Sequence, residues 1–322
     1  MSTTTSDTPT TSGTGTPRRP EDASTAGPST PGAVQPPAGR RLATGLRSRL
    51  PSAAGWRGTA STLALALPVP VLGILLWHVG VQQGWTLPFG IQMAFLPTPA
   101  AVLTRMIDIS VGGQIDDAFS GTLIEHLTAS TGRVLTGFGI AAATAIPLGV
   151  LMGRFTVVFR LLDPVINLVR PIPVTAWAPL ALLIIGFGDR STIFLVFLAA
   201  FFPILLNTIA GVRRVPVRLL EAAAMLGTKQ AQVLYKVVLP SAMHSIVGGL
   251  RIALGLAWVI LVVGETVGIS TGLGSMITQA RDMSKTDLIV AGMVVIGLAG
   301  FLADRLLVLL VKVATRGRPT LS

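Results

Sequence analysis

The feature that most constrains this chain is a series of apolar stretches, each about as long as a helix that crosses a membrane. Such a helix needs ~20 predominantly apolar residues, because the hydrocarbon core is roughly 30 Å thick and each residue rises about 1.5 Å. Six stretches of this kind follow one another, at residues 62–81, 134–153, 165–187, 193–212, 246–263 and 288–311. They predict an all-α membrane protein with six transmembrane helices.

The composition is that of a chain whose main solvent is a bilayer. Of the 322 residues, 51% are hydrophobic and 12% are charged, and the mean hydropathy is +0.70. A soluble domain does not bury so large an apolar fraction. The net charge of +11 would suggest nucleic-acid binding in a soluble protein, but here the Lys and Arg residues lie between the apolar stretches. We therefore expect membrane lipid, and no nucleic acid, as a partner.

The residue types needed for several kinds of chemistry are absent or scattered. The sequence has no cysteine, and its three histidines, His78, His126 and His244, are far apart. Disulfides, thiolate zinc sites and cysteine nucleophiles are therefore excluded. There is also no Gly-x4-Gly-Lys-Ser/Thr phosphate loop, so any ATP hydrolysis must reside on another chain. We predict no metal site, no cofactor and no catalytic residue.

The chain divides into a tail and a membrane domain. Residues 1–60 are rich in Ser, Thr, Pro and Gly, with arginines near their end, which predicts a disordered basic N-terminal tail. Residues 61–316 contain the six apolar stretches and form the predicted transmembrane domain. Six crossings place both termini on one side of the membrane. The excess of Lys and Arg on that side indicates that it is cytoplasmic.

The loop at residues 82–131 is expected on the outer side. In it, Thr98 and Pro99 precede an apolar pattern that includes Val102 and Met106. This pattern predicts a capped amphipathic helix. The helix either lies along the membrane interface or packs on the spans as a surface helix.

A polar segment, residues 213–240, separates the fourth and fifth apolar stretches on the predicted cytoplasmic side. A first short helix is expected between Pro216, which suits a first turn, and Gly227, which suits a stop. Thr228 is a candidate cap for a second helix, whose apolar residues recur at helical spacing. The segment therefore predicts a cytoplasmic helix-turn-helix. Its alanine-rich centre suits docking of another protein, although an ordinary packing helix has the same composition.

Within this segment several residues occur at the spacing of a known motif: Glu221, Ala222, Ala223, Gly227, Val237, Val238, Leu239 and Pro240. Together they resemble the EAA loop of the permease subunits of ABC importers, and only Val237 departs, where the family often has isoleucine. Further runs at residues 96–99, 162–164, 170–173, 202–208 and 271–274 are similar to the sulfonate, nitrate and taurine branch of these permeases. The resemblance covers roughly residues 96–307.

The resemblance implies a multi-pass, non-catalytic subunit of the plasma or inner membrane. Its implied partners are a second permease copy in a homodimer, a dimer of cytoplasmic ABC ATPase subunits, and an extracytoplasmic substrate-binding protein. The implied ATPase-coupling residues are Glu221, Ala222, Ala223, Gly227, Leu239 and Pro240.

The implied activity is ATP-driven uptake of a small anion such as an aliphatic sulfonate, and nitrate or taurine is the alternative cargo. A secondary transporter is the alternative from another class, although it would normally show related halves and ion-coupling residues near the midplane. An intramembrane enzyme is disfavoured, because the spans show no pair of carboxylates and no nucleophile beside a base.

Charged and kinked positions inside the spans are the candidates for a translocation path, because intramembrane charges are costly and freed backbone groups are polar. These candidates are Arg170, Pro171, Pro173, Trp177 and Glu265. The alternatives are structural: the arginine reaches the interface, the tryptophan packs against a neighbouring helix, and the glutamate ends a helix. Arg251 and Asp304, both toward the inner ends of their spans, are predicted to form an ion pair between helices.

Overall fold

The computed structural model describes residues 68–267 and 269–314, which are almost entirely helical. The α-helices are α1 (Pro68–Gln82), α2 (Pro99–Val111), α3 (Leu123–Arg154), α4 (Thr156–Val169), α5 (Ala178–Ile185), α6 (Asp189–Arg213), α7 (Val217–Met225), α8 (Gln230–Val233), α9 (Leu239–Glu265), α10 (Leu273–Asp282) and α11 (Thr286–Ala314). Two strands of two residues each, β1 (Thr86–Leu87) and β2 (Ile91–Gln92), pair antiparallel. The predicted tail, residues 1–60, lies outside the described residues.

Helices α3, α6 and α9 pack closely through small residues. A Cβ atom on Gly149 of α3 would lie only 2.7 Å from the Cβ of Thr208 on α6. On the other side of α6, a Cβ on Gly264 of α9 would lie 2.7 Å from the Cγ2 of Thr192. Real Cβ atoms do not come that close, so these two contacts require glycine. Small residues let helices approach in a bilayer, where lipid tails give no hydrophobic driving force between helices.

The last two helices are attached to this trio by an apolar cluster. Leu261 of α9, Leu273 of α10 and Leu288 of α11 are fully buried and belong to one cluster with Val134 of α3. Each of these side chains therefore ties a different helix to the same core.

Large apolar side chains also cover the outside of the molecule. Leu168 is 76% exposed, Leu183 is 84% exposed and Leu310 is 67% exposed. A soluble monomer rarely exposes such a surface, whereas a hydrocarbon layer solvates it without cost. The exposed leucines therefore agree with the predicted membrane location of these helices.

The all-α membrane class is confirmed, although the spans differ in detail from the predicted ones. By length and composition, five helical stretches of the described residues can cross a membrane, and a bent pair makes up to six. Helix α1 is only 15 residues long and begins inside the first predicted span, and residues 62–67 lie outside the described part. The stretch Met93–Val111, assigned to the outer loop from sequence, is long and apolar enough to cross.

The predicted span at residues 165–187 is sharply bent at its prolines. Helix α4 ends at Val169, a 3-10 turn follows at Val174–Trp177, and the two helical halves meet at 82°. Pro171 and Pro173 explain the break, because each lacks a backbone donor and disfavours helical geometry in the residue before it. Single prolines elsewhere are tolerated, since Pro147, Pro164 and Pro203 lie inside continuous helices.

Candidate functional site

Helix α7 ends in a tight, fully hydrogen-bonded cap. Gly227 adopts a left-handed backbone with φ of 66°. Its N–H donates to the carbonyl of Ala224 at 2.9 Å, and the N–H of Thr228 donates to the carbonyl of Ala223 at 3.1 Å. This pair of bonds is the Schellman arrangement, which favours glycine because other residues are strained at positive φ. The helix stop predicted at Gly227 is confirmed.

The second helix of the predicted helix-turn-helix is not a separate element. Helix α8 begins at Gln230, passes through a π turn at Leu234–Val238 and continues into α9. The whole stretch Gln230–Glu265 forms one helical run of 36 residues. The position before this run is Lys229, which makes no side-chain cap, so the predicted capping role of Thr228 is wrong.

The two faces of α7 differ in burial. Ala223 is 7% exposed and packs with Val150, Val212 and Val238, which fixes the helix to α3, α6 and the start of α9. On the other face, Glu221 and Ala222 are exposed. Next to them Met225 is 89% exposed and Leu226 is 84% exposed. The helix is thus anchored on one side, and on the other it presents large apolar side chains together with Arg218 and Glu221.

The rest of the predicted coupling segment lies around this helix. Leu239 is half-buried and Pro240 is exposed, and both occupy the first turn of α9. A cleft of about 300 Å³ opens beside α7 and is lined by Leu220, Val238, Arg154 and Arg213, among others. The guanidinium of Arg213 lies 3.5 Å from the centre of the Phe159 ring. Together with Arg154 it gives the cleft beside α7 a positive charge.

The candidate path residues fall into two groups. Arg170, Pro171 and Pro173 are exposed at the bend between α4 and α5. Trp177 is half-buried and packs against a small buried cluster that includes Ala181 of α5 and Leu195 of α6. Packing therefore accounts for the tryptophan, while the arginine and the two prolines remain accessible.

Glu265 is far from exposed. Its side chain is 0% exposed, and its Oε1 accepts hydrogen bonds from Arg133 Nη1 at 2.5 Å and from Ser130 Oγ at 2.7 Å. Its Oε2 accepts from the N–H of Gly274 at 2.8 Å. Glu265 is therefore the last residue of α9, as the structural alternative predicted, and it is also a buried ion-pair partner of Arg133.

Arg133 is the centre of this network and was not singled out from the sequence. It is 5% exposed and also contacts Asp189 at 2.8 Å and the carbonyl of Thr271 at 2.8 Å. Nearby, His126 Nδ1 accepts the N–H of Gly272 at 3.0 Å. These contacts tie α3 to the start of α6, the end of α9 and the loop before α10. Arg133 directly precedes an apolar stretch, so from the sequence it counted only as a positive charge in the outer loop.

A second buried arginine organises the loop at residues 112–122. Arg105 is 1% exposed and makes ion pairs with Asp108, Asp117 and Asp287, while Lys285 lies 2.7 Å from Asp117. Burial alone would raise the pKa of Asp117, but hydrogen bonds from Arg105, Lys285 and the Phe119 N–H lower that pKa to about 2. The Asp117 carboxylate therefore stays ionised at neutral pH. In α2, Arg105 and Asp108 are buried together with Val102 and Ile109, while Leu103 and Ile107 are exposed.

The predicted ion pair between spans is confirmed. Arg251 Nε and Nη2 donate to the two carboxylate oxygens of Asp304 at 2.8 Å and 3.0 Å. The pair is two-pronged and joins α9 to α11, which offsets the cost of both charges inside the bilayer.

A family model described as "Binding-protein-dependent transport system inner membrane component" matches residues 145–316, which include the bend, α7 and the last spans. The chain belongs to this family. The match covers more than half of the sequence, and the resemblance inferred from the α7 segment is confirmed. This inner membrane component is the permease subunit of an ABC importer.

Individual relatives agree with that assignment. The permease is 42% identical over 245 residues to a putative ABC transporter permease protein of Methanocaldococcus jannaschii, covering 76% of this chain and 88% of the relative. It is 37% identical to the taurine transport system permease protein of Escherichia coli, covering 77% and 88%. It is 35% identical to a putative aliphatic sulfonates transport permease protein of Bacillus subtilis, covering 74% and 82%.

Among solved structures, an inward-facing form of the MetNI methionine ABC transporter shares the fold. The TM-score is 0.50 at 20% sequence identity, and the match covers 60% of this permease and 98% of that chain. At this identity the likeness concerns the helical architecture alone.

Proposed function

We propose that this permease imports a small anion, with an aliphatic sulfonate as the leading cargo, and that ATP hydrolysis on a partner subunit drives the import through α7. The observation that carries the proposal is the exposed face of α7 on an anchored helix. In water, Met225 and Leu226 would gain by being covered, since burying an apolar side chain stabilises by about 1.5–3 kcal/mol. An ATPase groove that receives this face supplies that cover.

The proposed coupling residues have three different roles: contact with the partner, anchoring of α7, and connection to α9. Glu221 and Ala222 face the partner, with the carboxylate setting orientation and the alanine allowing close approach. Ala223 and Gly227 hold the helix in place, through burial and through the cap. Leu239 and Pro240 join the segment to α9. The ATPase dimer and the external binding protein are partners that the family description implies, and we propose a homodimer of the permease with both termini on the α7 side.

The cargo assignment rests on the relatives. Two of them are described as taurine and aliphatic sulfonate permeases, and taurine itself is an aliphatic sulfonate. Nitrate remains the second candidate, because a permease of Synechocystis described as a nitrate import protein is 32% identical over 216 residues. Arg170, at the bend with Pro171 and Pro173, is the proposed accessible cation along the path.

Coupling is tested by adding bulk to the exposed face of α7. We expect Ala222→Trp to weaken ATPase binding by about tenfold or more, since a misfit of about 1.4 kcal/mol already has that effect. Val111→Trp is the matched control, because Val111 is 81% exposed and ends α2, outside the α7 segment. The measurement is co-purification of the ATPase with the permease. Normal association of the Ala222→Trp variant would exclude docking on this face.

Cargo is tested by reconstitution of the permease with its ATPase and binding protein in vesicles. We expect taurine or a short alkanesulfonate to raise ATP hydrolysis several-fold and to enter the vesicles only when ATP is present. A neutral sugar serves as the control ligand. Stimulation by nitrate alone would favour the second candidate, and uptake driven by an ion gradient without ATP would identify a secondary transporter.

A further inference from the structure

A groove of about 790 Å³ runs between α9 and α11 and is not used by the proposed coupling or by the bend at Arg170. Of its lining residues, Arg251 and Asp304 are the charged ones, and they lie together at one end. The remaining walls are apolar or glycine, with Val262 near the other end. One end of the groove therefore carries an arginine and an aspartate, and the rest of its wall is apolar.

The charged end has a surplus of positive charge. Arg251 uses Nε and Nη2 for Asp304, and its Nη1 has no hydrogen-bond partner among the described residues. The guanidinium of Arg305 lies 4.9 Å from the centre of the Phe301 ring, and Phe301 lines the groove. Two guanidinium groups and one carboxylate leave a net charge of one positive unit. This end is suited to a phosphate or another oxyanion.

The position of these charges fits the edge of a bilayer. Asp287, at the opposite end of α11, pairs with Arg105, and at about 1.5 Å per residue Asp304 lies about 26 Å from it along the helix. The hydrocarbon layer is roughly 30 Å thick. The charged end is thus within a few ångströms of the layer's edge on the α7 side, which is within reach of an arginine side chain.

The apolar part of the groove has the length of one leaflet. From Arg251 to Val262, helix α9 rises about 16 Å, and half of the hydrocarbon layer is about 15 Å. A small hydrophilic anion would gain nothing from these walls. An amphiphile with an anionic head and an acyl chain matches both parts.

Two glycines leave this space open. A Cβ atom added to Gly255 of α9 or to Gly297 of α11 would meet no atom within 4 Å, although both line the groove. Glycine inside a helix costs about 0.5–1 kcal/mol relative to alanine. No contact among the described residues requires these glycines, and what they provide is the width of the groove.

We propose that this groove binds one anionic phospholipid from the leaflet on the α7 side. Its phosphate contacts Arg251 and Arg305, and one acyl chain lies along Gly255 and Gly297. Basic pockets between membrane helices on the cytoplasmic side bind such headgroups in general. The proposal does not depend on which cargo the permease carries.

The test compares phosphatidylglycerol with phosphatidylcholine in nanodiscs that contain the full permease. We expect phosphatidylglycerol to bind at least tenfold more tightly, measured by native mass spectrometry of retained lipid, and to raise the melting temperature. Gly255→Leu fills the groove and is expected to abolish the preference. Gly139→Leu is the matched control, because a Cβ at Gly139 of α3 also meets no atom within 4 Å and that residue is outside the groove.

A second variant separates charge from shape. The substitution Arg305→Gln removes the surplus positive charge and leaves the pair of Arg251 and Asp304 intact, and we expect it to reduce the phosphatidylglycerol preference while phosphatidylcholine binding stays unchanged. Equal binding of the two lipids to the wild type, or an intact preference in Gly255→Leu, would overturn the proposal. Displacement of the lipid by millimolar taurine would assign the groove to cargo, and loss of the dimer in Gly255→Leu would assign it to a second copy of the chain.

Discussion

Two arginines of this permease are almost completely buried, and their surroundings show what they do. Arg133 is held by Glu265, Asp189 and the carbonyl of Thr271, and Arg105 is held by three aspartates. An isolated buried charge is very costly, so each guanidinium requires nearly all of these partners. The two clusters fix the connections between helices, and a change at either is a change in the geometry of several elements at once.

The pair formed by Arg133 and Glu265 gives a prediction at this scale. Glu265→Gln keeps the size of the side chain but leaves Arg133 with the exposed Asp189 as its only counter-charge among the described residues. Breaking one side of a buried pair costs about 3–5 kcal/mol. We therefore expect a clearly lower melting temperature of the purified permease in detergent.

The control for this prediction is on the same helix as Arg133. Glu125 is exposed in the first turn of α3, so Glu125→Gln should change stability by no more than about 0.5 kcal/mol. Replacing both partners, Arg133→Met with Glu265→Leu, is expected to recover much of the loss, because no unpaired charge remains. If Glu265→Gln melts like Glu125→Gln, the buried pair does not stabilise the fold.

At the scale of elements, the end of one helix could be predicted from its neighbouring residues, whereas the continuation of another helix could not. The end of α7 was predictable because Gly227 both permits a left-handed residue and follows a helical pattern. The continuation of α8 through the π turn into α9 was missed, because Thr228 directly after Gly227 indicated the cap of a separate second helix. A helix that leaves the membrane keeps its own backbone hydrogen bonds, so polar residues do not end it.

The candidate site was predictable to the same limited extent. The α7 segment carries its motif in contiguous residues, and Arg251 with Asp304 could be paired because they are opposite charges at similar depths in neighbouring spans. Arg133 and Glu265, by contrast, are 132 residues apart, and one lies at the edge of an apolar stretch. Their meeting follows from the packing of α3 against α9, which hydropathy does not specify.

At the scale of the whole molecule, one continuous helical run connects the α7 segment with the buried network of Arg133. The stretch Gln230–Glu265 begins beside α7 and ends at the buried Glu265. Beside its first end, α7 exposes Met225 and Leu226, and its other end is held by the ion pair of Arg133 and Glu265. In the coupling that we propose, a movement imposed at α7 is carried to the network of Arg133 along this helical run, provided that α3, α6 and α9 stay packed.

That packing gives the last prediction. Gly149→Ala places a methyl group 2.7 Å from the Cβ of Thr208, and such overpacking costs about 1–3 kcal/mol. Gly139→Ala, on the same helix α3, meets no atom within 4 Å and should gain about 0.5–1 kcal/mol from helix propensity. We expect the melting temperatures of the two variants to shift in opposite directions. The measurement is the monodisperse fraction that remains after heating in detergent. Equal stability of the two variants would mean that α3 and α6 are not in close contact, and that the helical trio does not connect the two ends of the permease.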